Sequence, residues 1–230
     1  MKTFRTTKGP FAQRPYYKEH EIENICTDAL RGVGLLPASP EPIRIDRFIE
    51  KRFSVVPSYE DLPEGVLGLT RFGTKGVQEV VVAAALDGDS SAAAERRVRT
   101  TLAHEGGHCL LHSHLFVLAT AFQNLFGDFS EPDKPKVLCR DEPATSYSGQ
   151  WWEFQANMAM GHLLMPRVLV EKALEEFLVP VGNLGARRLN SERHEMAIAT
   201  LADTFDVNRI VARIRVDGLY PESKSGQLVL

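Results

Sequence analysis

Two histidines and a glutamate in one short run are the residues of this chain best suited to chemistry. His104 and His108 lie four residues apart, so on a helix they project within about 40° of each other. Glu105 follows the first histidine directly. A histidine pair with this spacing can bind one zinc ion while the neighbouring carboxylate acts as a general base. The run therefore predicts a metal-dependent hydrolase, provided that another segment supplies a third ligand.

Glu153 is the candidate for that third ligand. It lies near the start of a predicted helix over residues 151–164, among apolar neighbours, and a carboxylate from a second helix is suited to complete a three-ligand zinc site. Asn157, four residues later, shares its face and could hydrogen-bond a ring nitrogen of His104 or His108. With zinc bound, Glu105 would take a proton from the attacking water and pass it to the leaving amine of a peptide.

Other polar residues are less well placed by their spacing. His112 lies about 80° around the helix from His104, so we expect it to support the ligands or to pack in the core. Tyr147 is the first choice for stabilising the oxyanion, ahead of Arg140, His112 and His162, because it precedes Glu153 on a segment expected to border the cleft. Cys139 could hold such an enzyme latent by occupying the open zinc position.

The elements around these residues predict an α+β fold. Short strands at 54–56, 65–70 and 77–86 suggest a small antiparallel sheet, and the last of them would be the free edge to which a peptide substrate adds. A helix over residues 92–114 carries the histidines, and a long connection over 113–149 precedes the second metal-binding helix. The expected architecture is a sheet packed on a zincin-type pair of helices.

The two ends of the chain are predicted to be helical additions. Residues 1–20 form a polar arm, followed by helices at 21–30 and 43–52. Helices at 192–204 and 208–216, separated by Phe205-Asp206-Val207, have helix-turn-helix spacing. Asp206 stands where that turn usually has glycine, but Asp tolerates a left-handed backbone. The predicted division is an N-terminal arm and helix (1–40), a metallopeptidase domain (41–166) and a helical C-terminal segment (167–230).

Two glycines between the histidines need a reason, since each costs about 1 kcal/mol of helix propensity relative to Ala. Gly106 and Gly107 could allow a neighbouring element to pack closely, which is the more common use of glycine in a helix. The alternative is that their small size leaves room for a substrate backbone beside the metal.

Composition restricts the function classes. The chain has 230 residues, 43% of them hydrophobic and 25% charged, with a net charge of -3. These values are typical of a globular protein and argue against charge-driven binding to nucleic acid or to a membrane. Three widely spaced cysteines fit a reducing compartment, and the N-terminal residues do not resemble a signal peptide. We therefore expect a cytoplasmic protein.

Several runs together resemble the ImmA/IrrE family of bacterial and phage-associated metallopeptidases. They are Arg99-Thr100-Thr101-Leu102-Ala103-His104-Glu105-Gly106-Gly107-His108-Cys109-Leu110-Leu111-His112, Glu153-Phe154-Gln155-Ala156-Asn157, Leu163-Leu164-Met165-Pro166, Leu62-Pro63-Glu64-Gly65-Val66-Leu67-Gly68 and Leu201-Ala202-Asp203-Thr204-Phe205-Asp206-Val207. The similarity spans about residues 41 to 220. It implies a zinc site of His104, His108 and Glu153 with Glu105 as base, and cleavage of a regulatory protein, often a helix-turn-helix repressor.

This chain departs from the family pattern in two places. The family commonly has Glu where this chain has Gln155, and the insertion between His114 and Gln150 is long. The second departure bears on which protein is the substrate.

Two other functions remain open from the sequence alone. A zinc-stabilised module could bind its partner without cutting it. A regulator without peptidase activity could bind DNA through Arg209, Arg213 and Arg215, although three arginines on a short helix are more often a solvated face.

Overall fold

The computed structural model describes residues 2–5, 13–88, 91–126, 136–140, 150–181 and 186–221, with the backbone alone for 118–126 and 136–140. The helices in these ranges are α1 (Glu19–Gly32), α2 (Ile45–Phe53), α3 (Ala84–Asp87), α4 (Ala92–Phe126), α5 (Trp151–Leu164), α6 (Arg167–Ala173), α7 (His194–Thr204) and α8 (Arg209–Leu219). The strands are β1 (Lys2–Arg5), β2 (Gln13–Tyr16), β3 (Ser58–Glu60), β4 (Val66–Gly73), β5 (Gly76–Ala83), β6 (Lys136–Arg140), β7 (Leu178–Val181) and β8 (Ala186–Leu189). The fold is therefore of mixed α+β type, as predicted.

The main sheet has the strand order β3-β5-β4-β6. β4 runs antiparallel to β5 and to β6, but β3 runs parallel to β5, so the prediction of a purely antiparallel sheet is wrong. The prediction that the last strand before the metal-binding helix is a free edge is also wrong, because β5 lies between β3 and β4. Its run Val80-Val81-Val82 is fully buried, which is typical of an interior strand.

Two element boundaries in the structure differ from the predicted ones, each for a local reason. The strand predicted at 54–56 is absent because α2 ends at Phe53 and Ser54 takes a left-handed backbone with φ 58°, so the chain becomes extended only at Ser58. The helix that carries His104 and His108 continues to Phe126 rather than ending near His114. The first part of the predicted long connection is therefore helix.

α4 is the central element of the molecule. It packs against β4 and β5 on one side, α5 on another and α2 on a third, and every residue from 101 to 109 is buried. Leu102 and Cys109 lie in the main hydrophobic cluster, with Val98 partly buried against it. The same cluster includes residues from α1 to α8, so the core connects all three predicted segments.

Hydrogen bonds join the turn between α7 and α8 to the beginning of α4. Asp206, in the turn between α7 and α8, has a φ of 49° and so adopts the left-handed backbone expected of it. Its carboxylate accepts hydrogen bonds from Arg96 Nε, at 2.8 Å, and from Arg99. The Arg99 guanidinium also donates to the Asp206 carbonyl at 2.7 Å.

Within the described part of the chain, no helix combines the length and apolarity needed to cross a membrane.

Candidate metal centre

The buried middle of α4 presents the three residues of the opening motif. Glu105 and His108 have no exposed surface, and His104 is only 5% exposed. Burying one acidic and two imidazole side chains is costly unless each finds a partner. The groups that each of these side chains contacts therefore indicate the chemistry of the site.

α5 faces α4 at close range and supplies the remaining candidate ligand. A Cβ atom on Gly107 would lie 2.9 Å from the carbonyl oxygen of Ala156 and 3.0 Å from Ala159 Cβ, which is too close for any side chain. A Cβ on Gly106 would make ordinary contacts, the nearest being Leu163 Cδ1 at 3.5 Å. Gly107 thus serves the close packing of two helices. It faces α5, so the alternative role of leaving room for substrate does not apply to it.

Three side chains converge between these helices. His104 Nε2 lies 3.0 Å from His108 Nε2 and 3.0 Å from Glu153 Oε2, and His108 Nε2 lies 3.4 Å from the same Glu153 oxygen. Tetrahedral zinc with bonds of about 2.0–2.1 Å places its ligand atoms about 3.3 Å apart. His104, His108 and Glu153 could therefore hold a metal ion, in agreement with the predicted convergence.

The hydrogen bond on the far side of His104 suits a ligand role. Asn157 Oδ1 lies 2.9 Å from His104 Nδ1, and an amide oxygen can only accept, so His104 carries its proton on Nδ1. The lone pair of the neutral ring is then on Nε2, facing the other two groups. Asn157 occupies the supporting place expected of it from its spacing.

Glu105 has one bonded and one unbonded oxygen. Oε2 accepts from the Thr70 hydroxyl at 2.5 Å, whereas Oε1 is buried without a hydrogen-bond partner among the described residues. Burial raises the pKa of Glu105 to about 7, although His104 and the Thr70 hydroxyl act in the opposite direction. A carboxyl group with a free oxygen and a pKa near neutrality is suited to accept and return a proton.

The other ionisable groups have pKa values shifted in ways that favour cation binding. Burial lowers the pKa of His108, so this ring tends to be neutral and able to ligate. Burial opposes ionisation of Glu153 too, but its interactions with the imidazoles of His108 and His104 outweigh it and lower the pKa of this carboxyl. A neutral imidazole and an ionised carboxylate are the forms in which these two residues bind a metal cation.

The remaining predicted residues have different positions. His112 is completely buried next to His108, its Nδ1 lying 3.0 Å from His108 Nδ1. His162 is 3% exposed and pairs with Glu23 at 2.7 Å, away from the metal centre. Tyr147 lies outside the described residues, and for Cys139 only the backbone is described, paired with Gly68.

Sequence reasoning missed two residues that contact this centre. Thr70 lies on β4, two residues after Gly68 and on the same face of the strand. A Cβ atom added to Gly68 would lie 2.9 Å from Glu105 Oε1. The Gly-x-Thr alternation on one face of a buried strand was an available signal. Gln155, buried behind His112 and 3.1 Å from its Nε2, gave no comparable signal.

The basic residues of α8 are engaged within the protein. Arg215 is 5% exposed and donates to the Met165 carbonyl at 3.0 Å and to Glu23 at 2.6 Å. Arg213 forms an ion pair with Glu195 at 2.7 Å, and Arg209 lies 3.6 Å from the same glutamate. Buried and doubly bonded, Arg215 is poorly placed to bind a DNA phosphate, whereas Arg209 and Arg213 are exposed at the surface.

Comparison with known proteins gives no family assignment. No family model matches this chain, and no curated protein matches it.

Proposed function

We propose that this protein is a zinc-dependent endopeptidase that cleaves a regulatory protein. The observation that carries the proposal is the convergence of His104 Nε2, His108 Nε2 and Glu153 Oε2 beside a buried carboxyl group with one unbonded oxygen. Two imidazoles and one carboxylate form the ligand set of many catalytic zinc sites, which leave the fourth position open. The pairing of α4 with α5 would then correspond to the zincin arrangement.

The chemistry follows from the positions of the side chains. A zinc ion bound here would polarise the scissile carbonyl and make water more acidic. Glu105 would remove a proton from the attacking water through its free oxygen, while Thr70 holds the other oxygen at 2.5 Å. The same carboxyl would return the proton to the leaving amine, since a pKa of about 7 suits both steps. In this mechanism His104 and His108 would bind the zinc ion, and Glu105 would transfer the proton.

The resemblance of the sequence to the ImmA/IrrE family supports a protein substrate of the helix-turn-helix repressor class. The helices α7 and α8 would be the helix-turn-helix-like segment of this protein. Its buried Arg215, bonded to Met165 and Glu23, favours attachment to the catalytic part over direct binding of DNA. We place the protein in the cytoplasm, where its substrate would be found.

The direct test is Glu105→Gln in the full chain. Gln keeps the size of the side chain and an acceptor for Thr70 but cannot take up a proton, so zinc binding should persist while cleavage falls about 10²–10⁴-fold. Candidate substrates are helix-turn-helix regulators encoded nearby, co-expressed with the enzyme and examined by mass spectrometry for a defined cut.

A matched control is Glu95→Gln, which changes the same residue type on an exposed part of α4 and should leave cleavage unchanged. If cells that carry Glu105→Gln show the same phenotype as cells with the wild type, and the variant still binds zinc, the protein acts as a zinc-stabilised binding module. If the wild type does not bind zinc, the metal site itself is refuted.

A further inference from the structure

A buried line of hydrogen bonds leads from the N-terminal strand β2 to the metal centre. Gln155 Nε2 lies 2.8 Å from the Pro15 carbonyl oxygen, and Gln155 Oε1 lies 3.1 Å from His112 Nε2. His112 Nδ1 lies 3.0 Å from His108 Nδ1. His108 and His112 have no exposed surface, and Gln155 is 5% exposed. Burial excludes bulk water from this line, so its polar groups need hydrogen-bond partners within the protein.

The direction of every bond follows from the Pro15 carbonyl. A carbonyl oxygen only accepts, so the Gln155 amide must direct its NH₂ group to Pro15 and its oxygen to His112. That oxygen also only accepts, so His112 carries a proton on Nε2. The lone pair of neutral His112 is then on Nδ1, where it accepts the proton that His108 carries on its own Nδ1. His108 Nε2 is left with its lone pair directed at His104 and Glu153.

The opposite direction would disable the site. If the Gln155 amide were reversed, its NH₂ would face His112 Nε2, so that His112 would carry its proton on Nδ1 and direct it at His108. His108 would then hold its proton on Nε2 and lose the lone pair that a metal needs. A charged His112 would place two N–H groups against each other at 3.0 Å with no acceptor between them.

We propose that Gln155 and His112 are positioning residues for the metal centre, and that the Pro15 carbonyl orients the Gln155 amide so that the proton of His108 stays on Nδ1. This inference rests on the proposed metal-binding function and extends it to the N-terminal arm. Partners of this kind behind a metal-bound histidine typically change metal affinity by 10–100-fold.

The geometry also accounts for the amide at position 155. A glutamine can point in either direction and therefore needs the Pro15 carbonyl to choose one. A glutamate carboxylate would accept from His112 Nε2 in either orientation and so hold the same proton on His108, but its other oxygen would face the Pro15 carbonyl oxygen with no donor between them. Glutamate is thus expected to keep the His112 tautomer at a cost in stability, and a residue without an acceptor is not expected to keep it.

The first measurement needs no variant. Nitrogen-15 NMR of the seven histidines in metal-free and zinc-loaded protein at pH 8 should show His112 as a single tautomer protonated on Nε2, with His108 protonated on Nδ1. A mixture of His112 tautomers, or protonation of His112 on Nδ1, would overturn the proposal. The metal-free spectrum is independent of zinc binding and of proteolysis, so it separates this inference from the proposed function.

The second measurement is zinc affinity, by competition with a chelating dye. Gln155→Met keeps a side chain of similar length but removes the acceptor, so its zinc dissociation constant should rise 10–100-fold. Gln155→Glu should stay within about threefold of wild type and keep the His112 tautomer, since the acceptor is restored. Unchanged affinity in Gln155→Met, or equal loss in both variants, would show that Gln155 only packs.

Discussion

The closest contact between α4 and α5 makes Gly107 the most informative position for a stability test. An added methyl group would lie 2.9 Å from a backbone carbonyl oxygen and 3.0 Å from Ala159 Cβ, and neither neighbour is a flexible side chain that can move away. Such overpacking costs about 1–3 kcal/mol. Replacing Gly by Ala within a helix stabilises the helix by about 1 kcal/mol. Gly107→Ala should therefore lower the free energy of unfolding by up to about 2 kcal/mol.

Gly106→Ala is the matched control one residue away. Its added methyl group would find only ordinary contacts, at 3.5 Å or more, so the propensity gain of about 1 kcal/mol should appear almost unopposed. The two variants differ in sequence position by one residue and in expected stability by about 1–3 kcal/mol. Urea denaturation of the metal-free proteins measures that difference without a contribution from bound zinc.

The same displacement should weaken metal binding. Two candidate ligands are on α4 and one is on α5, so pushing the helices apart by a few tenths of an ångström enlarges the site. We expect zinc affinity to fall about tenfold in Gly107→Ala and to be unchanged in Gly106→Ala. Equal stability and equal zinc affinity in the two variants would refute the view that close approach of these helices is why position 107 is glycine.

Two further predictions concern ion pairs that join the C-terminal helices to the rest of the protein. Burial would raise the pKa of Glu23, but His162 and Arg215 lower it to about 2; its stabilisation is therefore complete above about pH 4.5 and is lost as the pH falls towards 2. Glu23→Gln should cost about 3–5 kcal/mol in urea denaturation at pH 7, because it leaves buried charge unpaired, and a difference from wild type that stayed constant down to pH 2.5 would contradict this. Asp206→Asn keeps a residue that tolerates φ 49° but removes the charge facing Arg96 and Arg99, so we expect a loss of about 1 kcal/mol that shrinks at high salt. A loss of the same size in 1 M salt would assign the effect to hydrogen bonding alone.

The convergence of the three candidate ligands was predictable because its signals are local. Helical spacing alone places His104 and His108 on one face, and the helix beginning at Trp151 was found with its observed bounds, so Glu153 and Asn157 could be placed on a common face. The turn at Asp206 was also predictable, since few residues other than glycine accept its backbone. In each case the spacing within one element carries the information.

The errors concern relations between distant segments. Whether β5 is an edge or an interior strand depends on β3, which lies before β4 in the sequence and pairs with β5 in parallel. The continuous apolar run at 80–82 was the one local sign that β5 is covered on both sides. The link from Pro15 to Gln155 joins residues 140 positions apart, and no periodicity within either segment reports such a contact.

The order of the strands determines where a further strand could be added to this sheet. β4 lies against the Glu105 side of α4, but both of its edges are occupied, by β5 and by β6. An extended chain joining the sheet on this side would therefore hydrogen-bond to residues 136–140, which come from the segment between α4 and α5. If the protein is the proposed peptidase, sequence changes in that segment could alter which peptide is selected while leaving the candidate ligands on α4 and α5 in place, so that recognition and catalysis would diverge separately.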